Sequence, residues 1–186
     1  MKTDLSKFNN SWYNPGKNII IRFFWYFTNA IFFISPLFPF SSIKKLILKI
    51  YGAKIGKGVV IKPSVNIKYP WNLKIGDYSW IGEKVWIDNL DDVIIGNNVS
   101  ISQGSLLISG NHNFKKTTFD LIVGKIIIED GVWIGAKAIV SGGVTCHSHS
   151  VLTIASVASK NLEAYGIYKG NPAKFVKKRE ILQSPL

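Results

Sequence analysis

Three histidines are the side chains of this chain best suited to moving protons near neutral pH, and one of them stands apart. His112 sits in the run Ser109-Gly110-Asn111-His112-Asn113, downstream of Asp88, Asn89, Asp91 and Asp92. A histidine with carboxylates in reach is a general acid–base candidate, because imidazole takes up a proton near neutrality and a carboxylate can orient it. Unpositioned, the same residues would be a solvated loop histidine and turn-capping acids. His147 and His149 lie in Cys146-His147-Ser148-His149, which superficially resembles a metal motif. No third ligand lies nearby in sequence, so a structural metal is not expected. Cys146 is the sole cysteine, which rules out a disulfide within the chain. Lys174, Lys177, Lys178 and Arg179 cluster towards the C-terminus and suit phosphate groups.

What would position such groups is a period of six. Ile55, Ile75 and Ile95 stand twenty residues apart, each followed by Gly. Between them an aliphatic residue returns at Ile61, Ile67, Ile81, Ile87, Ile101 and Leu107. The beat resumes at Ile128, Ile134, Val140, Cys146, Leu152 and Ala158. A fixed long period describes a solenoid, with three sixes making one coil of a triangular prism and the periodic aliphatic pointing inward. Cys146 falls on that beat and reads as a small core hydrophobe. A second position in the period is small or β-branched, as at Val59, Ser79, Val85, Val99, Ser105, Ala138 and Ser150. Gly56, Gly76, Gly82, Gly96 and Gly135 are expected at corners of positive φ. The period-two alternation of a β-sandwich would not keep this register.

The interruptions point to a site. The first coils are twenty residues long, and the surplus falls in the third six, between Ile67 and Ile75 and between Ile87 and Ile95. The next surplus, between Leu107 and Ile128, is fifteen residues. Coils stack at about 4.8 Å, like paired strands, so the inserts rise along one edge, with Asp88 one coil beneath the loop of His112. Loops leaving a rigid scaffold are where binding groups gather. Phe114, Phe119 and Leu121, within the insert 110–125, are expected to dock on a neighbouring subunit.

Three regions result: an N-terminal apolar and basic helical segment (1–51), the solenoid (52–164) and a basic tail (165–186). From Ile19 to Phe40 the chain is apolar and aromatic, and Arg22 is its only charge. Pro36 and Pro39 cut its helical part to about sixteen residues, short of the roughly twenty that span a bilayer. No small-residue cleavage site follows, which argues against a secretory signal. Ile43 to Tyr51 interleaves Lys44, Lys45 and Lys49 with aliphatics, a pattern that can lie in a membrane interface. Both helices could instead cap the open end of the solenoid. The net charge of +12, from 23 basic and 11 acidic residues, admits anionic partners. No nucleic-acid-binding motif is present, so nucleic acid is not expected.

From Ile55-Gly56 to Lys178 the chain resembles the hexapeptide-repeat acyltransferases, whose fold is a left-handed parallel β-helix. The runs Ser109 to Asn113, Val132-Trp133-Ile134-Gly135-Ala136 and Gly170-Asn171-Pro172-Ala173-Lys174 are similar to the maltose, galactoside and nodulation-type O-acetyltransferases. Tyr69 to Gly76 and Val85 to Leu90 resemble the colanic-acid biosynthesis acetyltransferases, which share the aromatic front end.

That resemblance implies direct transfer of acetyl from acetyl-CoA to a sugar hydroxyl, with His112 as general base and no metal. Asp88 would orient His112 or hold the acceptor, with Asn89 and Asn111 beside it. The pantetheine groove would be lined by Trp133, Gly135, Ala136, Ala155 and Ser156. Ser159, Lys160, Lys174, Lys177 and Arg179 would meet the nucleotide phosphates, and Pro172 would fix the tail loop. The acceptor, a sugar or a lipid-linked saccharide, is expected to belong to exopolysaccharide or surface polysaccharide synthesis. The enzyme is expected to be a cytoplasmic homotrimer, with residues 19–51 touching the inner face of the membrane. Two other readings compete. One is a non-catalytic solenoid scaffold; the other is a carbonic-anhydrase-like solenoid holding zinc through three histidines.

Overall fold

The computed structural model describes residues 2–182. The period of six becomes three parallel sheets wound around one axis. The first face stacks Lys54–Ile55, Leu73–Ile75, Val93–Ile95, Ile126–Ile128 and Thr145–Cys146. The second runs from Val60–Ile61 through Trp80–Ile81, Ser100–Ile101 and Trp133–Ile134 to Val151–Leu152 and Gly166–Lys169. The third holds Asn66–Ile67, Trp86–Asp88, Leu106–Ile108, Ile139–Ser141 and Val157–Ala158. The register is the sequence period made visible: Ile55 pairs with Ile75, Ile75 with Ile95, Ile95 with Ile128, and Ile128 with Cys146. Each inward aliphatic is buried and contributes about 1.5–3 kcal/mol. Val59, Ser79, Val85, Val99, Ser105, Ala138 and Ser150 are buried as well. Burial pushes the Cys146 thiol up to about 12, so it is an inert core group.

The corner glycines have a different cause from the one expected. Gly76 and Gly135 do not carry positive φ; a Cβ there would come within 2.6 Å of the backbone of the next coil. Positive φ falls two residues later, at Gly58, Tyr78, Lys84, Asn98 and Lys137. Close coil-to-coil approach selects glycine, and the left-handed turn is left to other residues.

At the corner between the first and second faces, side-chain oxygens cap backbone amides of the coil below. Asp77 Oδ1 accepts from Lys57 N (2.9 Å), Asn97 Oδ1 from Asp77 N (2.8 Å), and Asp130 Oδ1 from Asn97 N (2.7 Å). Where His147-Ser148 takes the place of that pattern, Glu129 supplies the acceptor instead. Its Oε2 accepts from Ser148 N and Oγ, and its Oε1 pairs with His147 Nδ1 at 3.0 Å. His149 stacks on Tyr165.

Within the N-terminal segment, α1 (Ile19–Thr28) continues as a π-helical turn over Asn29–Ile34, and α2 (Ser41–Ile50) follows. Asn18 caps α1 by accepting from Ile21 N. Among the described residues before Ile19 only Leu5–Lys7 makes a helical turn, and α1 begins at Ile19, where the apolar run begins. The two helices close the first coil. Trp25 Nε1 donates to Ile67 O, Lys44 Nζ donates to Lys62 O, and Ser41 Oγ accepts from Ile61 N. Asn29 reaches Asn66 and Ile67, which accounts for the wider π turn that presents it. Trp25, Phe33 and Leu48 are buried beneath. The outer side remains apolar: Ile19, Ile20, Phe23, Phe24, Tyr26 and Leu46 are all exposed. No helix among the described residues is long and apolar enough to cross a membrane.

Candidate active site

All three inserts leave the prism between its third and first faces. Ser109 fixes the longest of them: its hydroxyl donates to Asp88 O and accepts from Asp91 N, both at 3.0 Å. The insert then folds as a hairpin, with Gly110–His112 antiparallel to Leu121–Val123 and His112 opposite Leu121. At the hairpin's far end Phe119 adopts a φ of 53°, a left-handed conformation that costs a non-glycine residue energy. Its carbonyl lies 2.9 Å from His112 Nδ1 and its ring stacks on the imidazole at 4.4 Å. A carbonyl only accepts, so Nδ1 carries the hydrogen and the neutral ring keeps its lone pair on Nε2. Phe119 thus packs on the imidazole of its own chain, Leu121 lines the cavity beside it, and Phe114 stays exposed.

His112 lines a cavity of about 760 Å³ together with Asp88, Lys68, Tyr69, Arg22 and Asn111. One wall is the extended stretch before Ile19. Asp4 N donates to Thr117 O of the insert, Phe8 packs 5.7 Å from the imidazole, and the Tyr13 hydroxyl donates to Leu90 O at 2.7 Å. Burial and the nearby Tyr69, Asp91 and Asp88 charges raise the Tyr13 phenol, so it stays protonated. The sequence reading missed this wall. Phe8 and Tyr13 have no periodicity to mark them, though aromatic residues in a polar N-terminal stretch were a signal to follow.

Asp88 and His112 share the cavity without a hydrogen bond between them. Asp88 Oδ1 lies 3.0 Å from Lys68 Nζ, an ion pair that falls short of hydrogen-bond geometry, and it accepts no hydrogen bond among the described residues. The Asp88 side chain lines the cavity, with Oδ1 itself buried against Lys68. Asn89 is buried instead, and its amide pairs with both backbone groups of Tyr69. Asn111 is exposed beside the imidazole, its Oδ1 accepting from His112 N.

Most of the expected donor-side residues gather elsewhere, between the second and third faces; Ser159 and Lys160 follow Val157–Ala158 of the third face and lie at the third–first corner, above the inserts. Ala155 N donates to Ala136 O, which stacks the two turns, and Trp133 stands half-exposed with Nε1 donating to Ser102 Oγ. Ser156 is buried, its Oγ is occupied by Gly170 N and Thr153, and its backbone C=O and N–H pair with Ile139 N and Thr153 O, so it supports the turn from within rather than meeting a ligand. Ser159 and Lys160 are exposed at the top, and Lys174 and Lys177 are exposed on a strand that folds back antiparallel to Gly166–Lys169; Pro172 lies in the turn between. These exposed cations suit a nucleotide phosphate. Arg179 does not join them, since it donates to Gly131 O and His149 O. The cavity at His112 contains none of the donor-side residues.

Fold and site together define a hexapeptide-repeat solenoid with a histidine hairpin at one corner. No family model matches the chain. Along whole sequences it is 36% identical over 177 residues to WcaF of Escherichia coli (strain K12), provisionally named a colanic acid biosynthesis acetyltransferase; the match covers 95% of this chain and 97% of that protein. A hexapeptide-repeat acetyltransferase from Vibrio cholerae O1 biovar eltor, solved with acetyl-CoA, superimposes with a TM-score of 0.79 at 19% identity, covering 87% and 88% of the two chains. A maltose O-acetyltransferase from Clostridium difficile 630 gives 0.79 at 20% identity, covering 88% and 90%. At such identity the two structures speak for the fold alone. The chain belongs to the hexapeptide-repeat acetyltransferases, in their colanic acid biosynthesis branch.

Proposed function

We propose that the protein is an acetyl-CoA-dependent O-acetyltransferase acting on a sugar hydroxyl during surface polysaccharide synthesis. The observation that carries this reading is the His112 ring, its Nδ1 held by Phe119 O and its Nε2 left with a lone pair at a cavity with Asp88. An alcohol is a weak nucleophile at neutral pH and needs a positioned base. His112 Nε2 takes the hydroxyl proton as the acceptor oxygen attacks the thioester carbonyl, and returns it to the sulfur of departing CoA. Asp88 accepts a hydrogen bond from the saccharide, with Asn111 near it; Asn89 shapes the loop from within. Trp133, Gly135, Ala136 and Ala155 line the pantetheine groove, with Ser156 buried behind them. Ser159, Lys160, Lys174 and Lys177 serve the phosphates. Within one chain Trp133, Gly135, Ala136 and Ala155 stand at a different corner from His112, so the reading requires a second copy to bring a donor groove against the base, as in a trimer.

The reading places the enzyme in the cytoplasm, with the outer side of α1 and α2 against the inner face of the membrane. Lys45 and Lys49 flank exposed apolar residues there, and each basic residue near an anionic surface adds about 1 kcal/mol. Anionic vesicles should float the protein at low salt and release it as the Debye length falls to about 3 Å at 1 M. The decisive assay follows thiol release from acetyl-CoA across candidate saccharides. Turnover with no saccharide tested, or full turnover in purified His112→Ala, refutes the proposal.

A further inference from the structure

Arg22 is hard to explain as part of a cap. It is the only charged residue between Ile19 and Ile34, on a helix that otherwise offers apolar groups. Among the described residues it makes no ion pair and no side-chain hydrogen bond, and its Nε is buried. Arg22 is partly exposed where it lines the cavities, and a guanidinium drawn partly out of water without an anion is unfavourable. A capping helix would do better with a leucine there.

The surroundings say what it faces. Arg22, Lys68, Tyr69 and Asp88 line the cavity of His112 and also a neighbouring cavity of about 420 Å³. The second cavity is apolar on its far side, where Trp25, Ala30 and Ile34 stand and where the exposed helix surface begins. Along one continuous groove the order is therefore a base, then two cations from opposite walls, then an apolar channel. Lys68 already has Asp88 as partner, so Arg22 holds the unbalanced charge. A free sugar would use the first part only. A ligand that fits all three carries a saccharide, an anionic linker and an apolar tail in that order.

We propose that Arg22 and Lys68 form a subsite for the diphosphate that joins the acceptor saccharide to an isoprenoid tail. The proposal rests on the acetyl-transfer reading and specifies its substrate. Arg presents a planar fork matched to phosphate oxygens, and Lys adds a mobile point charge from the solenoid side. The tail then leaves through the apolar channel towards the exposed face of α1.

The test is calorimetric binding of farnesyl diphosphate, farnesol, inorganic pyrophosphate and uridine diphosphate to the full-length protein, with acetyl-CoA binding measured in parallel. Farnesyl diphosphate should bind at least about tenfold more tightly than the other three, since each lacks the tail or the charge. Arg22→Gln and, independently, Lys68→Gln should each weaken it about tenfold or more, as for loss of one charge-assisted contact. Arg22→Lys should recover part of the loss. Unchanged acetyl-CoA affinity in these variants certifies their fold. Equal binding of farnesol or of uridine diphosphate, or indifference to both Gln variants, overturns the subsite. If acetyl-CoA binds and a simple saccharide is acetylated while farnesyl diphosphate does not bind, the subsite fails and the acetyl-transfer reading survives.

Discussion

Aspartate and asparagine populate two corners of this prism and behave differently at each. Between the first and second faces, Asp77, Asn97 and Asp130 turn back on the coil and cap amides at 2.7–2.9 Å. Between the third and first faces, the lengthened coils carry Asp88 away from such a role, leaving its carboxylate facing a cavity with Lys68 and His112. The residue types are alike; the two extra residues per coil separate the uses. At the lengthened corner Asn89 still caps the amide of Tyr69 in the coil below, while Asp88, one residue earlier and facing outward, is released from that use.

The largest expected effect lies at the bulged corner. His112→Ala should lower turnover about a hundredfold or more, as for a lost general base, with no fall in melting temperature and little change in acetyl-CoA affinity. A matching loss of stability would erase the distinction between the corners. Asp88→Asn should reduce turnover less, mainly through saccharide KM; a silent variant would return Asp88 to the class of turn residues. At the regular corner the pattern should invert. Asp130→Ala should leave turnover unchanged and cost about 1 kcal/mol or less in urea unfolding, since its hydrogen bonds are exposed.

The smallest effect is a pH dependence at the regular corner. The Asn97 backbone N–H, then its side-chain amide, hold Asp130 below the ordinary carboxylate value, and the Ser148 hydroxyl does the same for Glu129. The native state then binds fewer protons than the unfolded chain. The contribution is complete above the ordinary carboxylate value and lost as pH falls through the lowered one. The gap in urea midpoint between the parent protein and Asp130→Ala should close in that acid window. A gap that stays constant would mean that the carboxylate charge is irrelevant there.

The coils were legible because isoleucine every six residues has one geometric meaning, and the insert was legible because it breaks that rhythm. His112 could be chosen from type and place alone. Its tautomer could not, because Phe119 reaches Nδ1 only through a hairpin register that a loop sequence does not encode. Asn89 beside Asp88 was misjudged for a related reason: neighbours in an extended strand point to opposite sides, and Asn89 points into the coil. Arg179 looked like one more phosphate ligand until the folded-back strand delivered it to two carbonyls. The front end supported both a cap and a membrane surface, and its inner side is a cap.

The closure of the stack at both ends carries a consequence for self-association. In-register isoleucine ladders at strand spacing are also the makings of a fibril, which grows by adding layers along its axis. Here the lowest layer has amides and carbonyls already taken by Ser41, Lys44 and Trp25, and the uppermost carries a reversed strand studded with exposed lysines. At those positions the ladder offers no open template, and stacking of copies end to end is disfavoured there.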